Sequence, residues 1–174
     1  MKRLCYNAFS DIMIERAQVR DFASGVSIRK AGTKDLAEMQ RLELMCFDAE
    51  AFSKFQLRYL LGTRTAVSLA AEVDGYFAGF VIGIMNRNRF GTYGRIYTLD
   101  VDQGYRARGI GKLLTVSLLE RLKQAGCERC FLEVRVDNHS AVALYEHLGF
   151  EKKNMIFNYY APGVHAIKMK KDLQ

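Results

Sequence analysis

A glycine-rich segment between an apolar strand and an amphipathic helix constrains the fold of this chain most strongly. Residues 103–112 read Gln-Gly-Tyr-Arg-Ala-Arg-Gly-Ile-Gly-Lys, and the helix that follows places leucines on one face. Gly109 and Gly111 lack the Cβ atoms that would keep an anion off the backbone, and glycine accepts positive φ angles. A helix that begins there directs unpaired N–H groups at the same point. The pattern predicts a strand, loop and helix unit that holds a phosphate-rich ligand.

The spacing of these residues argues against two familiar phosphate loops. A Walker A loop places Ser or Thr directly after its lysine, whereas Lys112 is followed by Leu113. A dinucleotide-binding loop places Gly or Ala three residues after its second glycine, whereas Leu114 stands there. A nucleotide hydrolase and a hydride transferase are therefore disfavoured. The remaining pattern is R-x-x-G-x-G, from Arg106 to Gly111.

Hydrophobic periodicity in the rest of the chain alternates between strand and helix. Ala66–Val73 and residues 76–85 read as strands joined by Asp74-Gly75, a dipeptide typical of two-residue hairpin turns. A second turn is expected at residues 86–91, before a strand over residues 95–101. The predicted order is β-α-α-β-β-β-α-β-α-β-β, which indicates a mixed sheet with helices on its faces.

Length and charge favour one domain with a polyanionic partner. The chain has 174 residues and a formal charge of +7. We place the domain at residues 26–174 and treat residues 1–25 as an extension of unassigned role. The N-terminus lacks the apolar core of a signal peptide, and residues 77–85, the longest uncharged apolar run, fall far short of the about 20 residues that cross a bilayer. We therefore expect a cytoplasmic protein without a membrane partner.

Two of the four cysteines form a Cys-x-x-Cys pair at Cys127 and Cys130. A single pair without a second pair or a nearby histidine is a poor zinc site, and this pair precedes a strand where a thioredoxin-like motif needs a helix N-terminus. We expect no metal, and a redox role for the pair stays open.

A second motif follows the glycine-rich loop. Residues 132–138 read Leu-Glu-Val-Arg-Val-Asp-Asn and residues 143–150 read Ala-Leu-Tyr-Glu-His-Leu-Gly-Phe. In this order the two motifs resemble the GNAT superfamily of N-acetyltransferases, and within it the RimI-like enzymes that acetylate ribosomal-protein alanines and other protein N-termini. The resemblance runs from Val26 to Lys171. It implies an α/β GNAT fold: a mixed, mostly antiparallel sheet of about seven strands, helices on both faces and a splayed strand pair at the acetyl-CoA site.

The resemblance assigns residues to the acetyl donor, acetyl-CoA. The backbone of the strand before the loop would hold the pantetheine arm and the acetyl carbonyl, the loop would hold the pyrophosphate, and one asparagine within the second motif would approach CoA. In this sequence these positions are Leu99, Asp100 and Val101; Arg106, Ala107, Arg108, Gly109, Ile110, Gly111 and Lys112; and Asn138. On local grounds alone, Asn138 could simply cap the next helix.

The resemblance also assigns Glu133 as general base and Tyr145 as general acid. An amine attacks only when neutral, and a departing thiolate needs a proton. An α-amine, with a pKa of about 7.7–8.0, is easier to deprotonate than lysine at about 10.4. Local patterns offer a second interpretation of each residue: Glu133 could pair with Arg135 or Arg129, and Tyr145 lies on the apolar stripe of its helix.

The acceptor side follows from residues 158–160, Asn-Tyr-Tyr, in which Tyr159 and Tyr160 would hold a peptide backbone. They could equally be core or rim residues. Residues 46–52 lack the proline usual at the family's peptide-binding loop, which leaves ribosomal-alanine specificity open.

We expect a protein N-terminus as acceptor, with ribosomal proteins among the candidates. The alternative acceptors are a small-molecule amine and a lysine. The alternative class is a non-catalytic RNA-binding module, but the sequence has no aromatic-rich RNA-binding motif that would support it. Monomer and homodimer both stay open.

Overall fold

The computed structural model describes residues 25–47 and 51–173. The strands are β1 (Val26–Lys30), β2 (Ala66–Val73), β3 (Tyr76–Asn88), β4 (Gly91–Val101), β5 (Arg129–Arg135), β6 (Glu151–Ala161) and β7 (Val164–Asp172). The helices are α1 (Leu36–Cys46), α2 (Lys54–Gly62), α3 (Ile110–Gln124) and α4 (His139–His147), with single 3-10 turns at Thr33–Asp35 and Gln103–Tyr105. This order confirms the predicted alternation. Of the extension at residues 1–25, all but Gly25 lies outside the described residues.

All seven strands form one sheet in the order β1-β2-β3-β4-β5-β7-β6. Every neighbouring pair is antiparallel except β4 and β5, which run parallel. The mixed, mostly antiparallel sheet is therefore confirmed. The parallel pair is short, because only Tyr93, Gly94 and Arg95 of β4 have partners in β5.

The helices cover the two faces of the sheet and enclose two cores. On one face, α1 and α2 bury Met39, Leu42 and Leu57 against Phe80 and Ile82 of β3. On the other face, the apolar stripe of α3 packs against β3 and β4, and the stripe of α4 packs against β5. The buried residues of the two stripes are Ile110, Leu114, Leu118 and Leu122 of α3, and Ala141, Leu144 and Tyr145 of α4.

Turn chemistry correctly predicts the first hairpin but not the second turn. Asp74 and Gly75 both have positive φ angles, 50° and 82°, as a two-residue hairpin turn of the primed type requires. Residues 86–91 do not form the expected wide turn. The β3 and β4 ladder continues through them to the pair Asn88 and Gly91. Main-chain hydrogen bonds hold this end of the hairpin together, although Arg87, Asn88, Arg89 and Phe90 expose their side chains.

No helix among residues 25–47 and 51–173 is long and apolar enough to cross a membrane. Over the same residues, no group of three or more His, Cys, Asp and Glu side chains could hold a metal ion. Cys127 and Cys130 are both buried as free thiols. Burial raises the pKa of each thiol. Because the thiolate is the reactive form, this environment is unfavourable for redox exchange.

Candidate active site

The centre of the site is the gap where β4 and β5 part. Beyond Arg95, β4 continues to Val101 and stays paired with β3 on its other edge, but β5 turns to pair with β7 along its full length. The main-chain groups on the β5-facing edge of Leu99, Asp100 and Val101 therefore lie at an opening in the sheet. This is the splayed strand pair that the resemblance implied.

The glycine-rich loop follows at the end of β4. Gly109 is the N-cap of α3 in the left-handed conformation, with φ 74°, and Ala107 also has a positive φ of 61°. No side chain caps α3, whose first helical hydrogen bond runs from Leu113 N to Gly109 O at 2.9 Å. The N–H groups of Ile110, Gly111 and Lys112 therefore lack helical partners. Alternating conformations before a helix N-terminus form a concave anion site, which fits a pyrophosphate.

The three cationic side chains of this loop contact other parts of the protein. Arg106 donates from Nε to Val101 O at 3.2 Å and from Nη2 to Cys46 Sγ at 3.3 Å, so it ties the end of β4 to α1. Arg108 lies over the ring of Tyr105, with 5.1 Å to the ring centre. Lys112 Nζ lies 3.2 Å from His147 Nε2 at the end of α4. The main-chain N–H groups of the loop are thus the groups best placed to bind a pyrophosphate, and the three cationic side chains surround them.

Glu133 projects from β5 on the side opposite the α3 core. Its Oε2 lies 2.7 Å from Arg95 Nη2 of β4, and the two side chains are 6% and 22% exposed. Neither arginine suggested by the sequence is its partner, because Arg135 pairs with Asp137 and Arg129 pairs with Glu128. Although burial opposes the charge of Arg95, the negative charge of Glu133 raises the pKa of this guanidinium overall.

The two tyrosines after Asn158 meet Glu133 and its partner. Tyr159 Oη accepts a hydrogen bond from Arg95 Nη2 at 2.9 Å, and Tyr160 Oη donates to Glu133 O at 3.1 Å. The two rings pack edge to face, 4.8 Å apart. Burial and the nearby charge of Glu133 raise the pKa of Tyr159. The structure therefore brings both predicted acceptor residues to the predicted base.

Tyr145 and Asn138 hold the local structural positions that their sequence neighbours indicate. Tyr145 is completely buried on α4, with its ring 5.5 Å from that of Phe150 in a T-shaped contact. Asn138 Oδ1 accepts from Ala141 N at 3.1 Å, which confirms the helix cap. Their roles as general acid and CoA contact stay predictions.

Two carboxyl groups are buried between β4 and α1, on the sheet face that α1 and α2 cover. Asp100, Thr98 and Glu43 of α1 are each 0% exposed. Thr98 Oγ1 lies 3.1 Å from Glu43 Oε2 and 3.0 Å from Asp100 Oδ2. A hydroxyl has one hydrogen to donate, so the second contact is complete only if one carboxyl carries a proton. Burial, and then the charge of Glu43, raise the pKa of Asp100 well above the usual range.

Sequence reasoning missed Arg95 and the buried carboxyl pair. Glu43 did carry a signal, since it lies four residues after Met39 and seven after Leu36, on the stripe that α1 buries. Arg95 carried no comparable signal, because an arginine in a strand is ordinarily a solvated charge.

Comparison with known proteins agrees with this geometry. Residues 35–150 match the model of the acetyltransferase (GNAT) family. The chain is 32% identical to N-alpha-acetyltransferase 30 of Schizosaccharomyces pombe, over 78% of this chain and 88% of the relative. It is also 32% identical to N-alpha-acetyltransferase MAK3 of Arabidopsis thaliana, over 70% of this chain and 64% of that protein. The crystal structure of the ribosomal-protein-S18-alanine N-acetyltransferase from Escherichia coli superposes with a TM-score of 0.75 at 26% identity, covering 86% of this chain and 94% of the other.

A parted strand pair beside an uncapped helix N-terminus is the arrangement expected of an acyl-CoA-dependent transferase. The chain belongs to the acetyltransferase (GNAT) family. It is an N-acetyltransferase, and acetyl-CoA is its acetyl donor.

Proposed function

We propose that this enzyme acetylates the N-terminal α-amine of a protein or peptide. The relatives at 32% identity are named N-alpha-acetyltransferases. The observation that carries the proposal is the meeting of Glu133, Arg95 and Tyr159 at the apex of the strand gap, where β4 and β5 part. A carboxylate and two tyrosines there face the point at which an amine would reach a thioester held along β4.

The donor substrate would be held mainly by main-chain groups. The edge of Leu99, Asp100 and Val101 would pair with the pantetheine arm, because no β5 residue occupies it. The N–H groups of the first turn of α3 would bind the pyrophosphate, and the helix dipole adds to this attraction. N–H groups along β4 would also stabilise the negative charge that develops on the acetyl oxygen during attack.

In the proposed reaction the neutral α-amine attacks the acetyl carbonyl. The C–N bond forms, the C–S bond breaks, and the amine loses a proton to Glu133. The thiolate that leaves takes a proton from Tyr145. Because a protein α-amine has a pKa of about 7.7–8.0, one carboxylate suffices to accept its proton near neutral pH. The thioester supplies the driving force, so no metal is needed.

The acceptor would enter along β5 and β6. These strands lie on the part of the sheet that α1 and α2 do not cover, on the same face as those helices. Tyr159 and Tyr160 line this approach, next to a bulge at Asn158 that has a φ of 54°. Asn158 holds the β6–β7 turn by accepting from Gly163 N at 2.8 Å. A ribosomal protein as the natural acceptor, as in RimI-like enzymes, is the narrower form of the proposal, and the cytoplasmic location stays a prediction.

The test compares matched peptides that differ only at the N-terminus. One carries a free α-amine, one is N-formylated, and both carry an internal lysine; CoA thiol release and peptide mass are measured. The expected result is acetylation of the free N-terminus alone, with Glu133→Gln lowering kcat about 100-fold or more. Including first residues Ala, Met and Ser tests the ribosomal-alanine form. Transfer only to the lysine or to polyamines would contradict the proposal.

A further inference from the structure

Arg95 occupies a special position in the sheet. It is the last residue of β4 that pairs with β5, opposite Phe131, and the opening for the donor begins with the next residue. Its guanidinium therefore stands at the apex of the gap. Few side chains in the fold are better placed to influence both strands.

One guanidinium connects three strands at this point. Nη2 contacts Glu133 Oε2 of β5 at 2.7 Å and Tyr159 Oη of β6 at 2.9 Å. The guanidinium also lies over the ring of Tyr97 on its own strand, with 5.3 Å to the ring centre. The planar, always charged group suits such a fixed position better than a lysine ammonium would.

The ion pair also determines which oxygen of Glu133 is available. Oε2 is occupied by Arg95, and Tyr160 holds the main-chain carbonyl of the same residue at 3.1 Å. Within the described residues, no side chain or main-chain group donates to Oε1. Because the Glu133 side chain is only 6% exposed, its rotation depends on these neighbours. Oε1 is thus the atom left to accept a proton.

We propose that Arg95 is a positioning residue for the reaction: it holds Glu133 with Oε1 toward the acceptor amine. This inference rests on the proposed function, in which Glu133 is the base. Loss of the guanidinium would leave a buried carboxylate without its charge partner and free to turn away. The donor loop, at the other end of the gap, would keep its structure.

The test uses two variants. Arg95→Met keeps an apolar side chain of similar length, and Arg95→Lys keeps the positive charge but not the planar guanidinium group. Arg129→Met is the matched control, since Arg129 is a part-exposed arginine of β5 paired with Glu128. With a peptide that the wild type acetylates, we expect Arg95→Met to lower kcat about 100-fold, with the KM for acetyl-CoA changed by less than about twofold. Arg95→Lys should recover about tenfold of that loss. Arg129→Met should leave kcat near the wild-type value.

A second measurement separates positioning from folding. Guanidinium ion at millimolar concentration, added to Arg95→Ala, should restore part of kcat, whereas ammonium at the same ionic strength should not. Unchanged kcat in Arg95→Met would overturn the inference alone. An equal loss of kcat in Arg95→Met and Arg95→Lys, with a raised KM for acetyl-CoA and no rescue of Arg95→Ala by guanidinium, would also overturn the inference. A wild type inactive on every free N-terminus would instead contradict the proposed function, and the inference with it.

Discussion

Replacing Asp100 by Asn should stabilise this protein, and the gain should grow as the pH rises above the acidic range. Asp100 and Glu43 are fully buried, and both contact the hydroxyl of Thr98. The geometry is complete when one carboxyl carries a proton. Asparagine has nearly the same shape as a protonated aspartate and can donate to Glu43 at any pH, so the variant keeps the contacts without binding a proton.

The size of the effect follows from proton linkage. Burial raises the pKa of Asp100 in the folded protein above its value in the unfolded chain. This group therefore contributes its full stability only below the unfolded pKa, and that contribution is lost as pH rises toward the folded pKa. Over this window the native state holds one more proton, so the free energy of unfolding falls by about 1.4 kcal/mol per pH unit. Asp100→Asn removes this slope.

The assay is urea unfolding of wild type and Asp100→Asn at a series of pH values from about 5 to 8, the range in which proteins tend to be most stable. The gain in unfolding free energy should increase steadily with pH. Asp102→Asn is a control of opposite sign: although burial opposes it, the Gly104 N–H and Tyr76 lower the pKa of Asp102, so its contribution is present at neutral pH and lost as pH falls. A loss of stability in Asp100→Asn that is equal at every pH would refute the shared proton.

Three further substitutions test other parts of the structure. Tyr145→Phe should lower kcat about 100-fold or more with little change in the KM for acetyl-CoA, and unchanged turnover in steady-state assays would contradict the acid role. Gly109→Ala forces a residue with a Cβ to adopt a φ of 74°, so it should lower the free energy of unfolding by about 1–2 kcal/mol and raise the KM for acetyl-CoA. Ala107→Gly, at a φ of 61°, should not destabilise the protein. Gly94→Ala would place its Cβ 2.6 Å from Leu122 Cδ1, so it should lower the free energy of unfolding by about 1–3 kcal/mol, measured by thermal or urea unfolding. The double variant with Leu122→Ala removes this clash and should lose less stability than the sum of the two single variants.

Most of the fold was predictable because its signals are local. The leucine stripe of α3 and the Asp74-Gly75 turn each act within a few residues, and the structure confirms both. The end of the second hairpin was mispredicted for the same reason. Asn86 and Asn88 favour a turn by composition, but the ladder between β3 and β4 satisfies their main-chain groups with a strand that begins only at Gly91.

The site was predictable only in outline, because its decisive contacts join distant parts of the chain. Glu133 was assigned by motif, but its partner Arg95 lies on another strand and Tyr159 is 64 residues from that arginine. Thr98, which joins Glu43 to Asp100, lies 55 residues from Glu43. Register and helix packing create these contacts, and no short motif encodes them.

The gap between β4 and β5 has a consequence for how such enzymes diverge. Its donor side consists of main-chain groups and a helix end, which almost any sequence with the right glycines can supply. Its acceptor side consists of individual side chains from β4, β5 and β6, each replaceable on its own. Mutation can therefore exchange the acceptor while the donor half of the fold is retained, since one fold supports many different substrates.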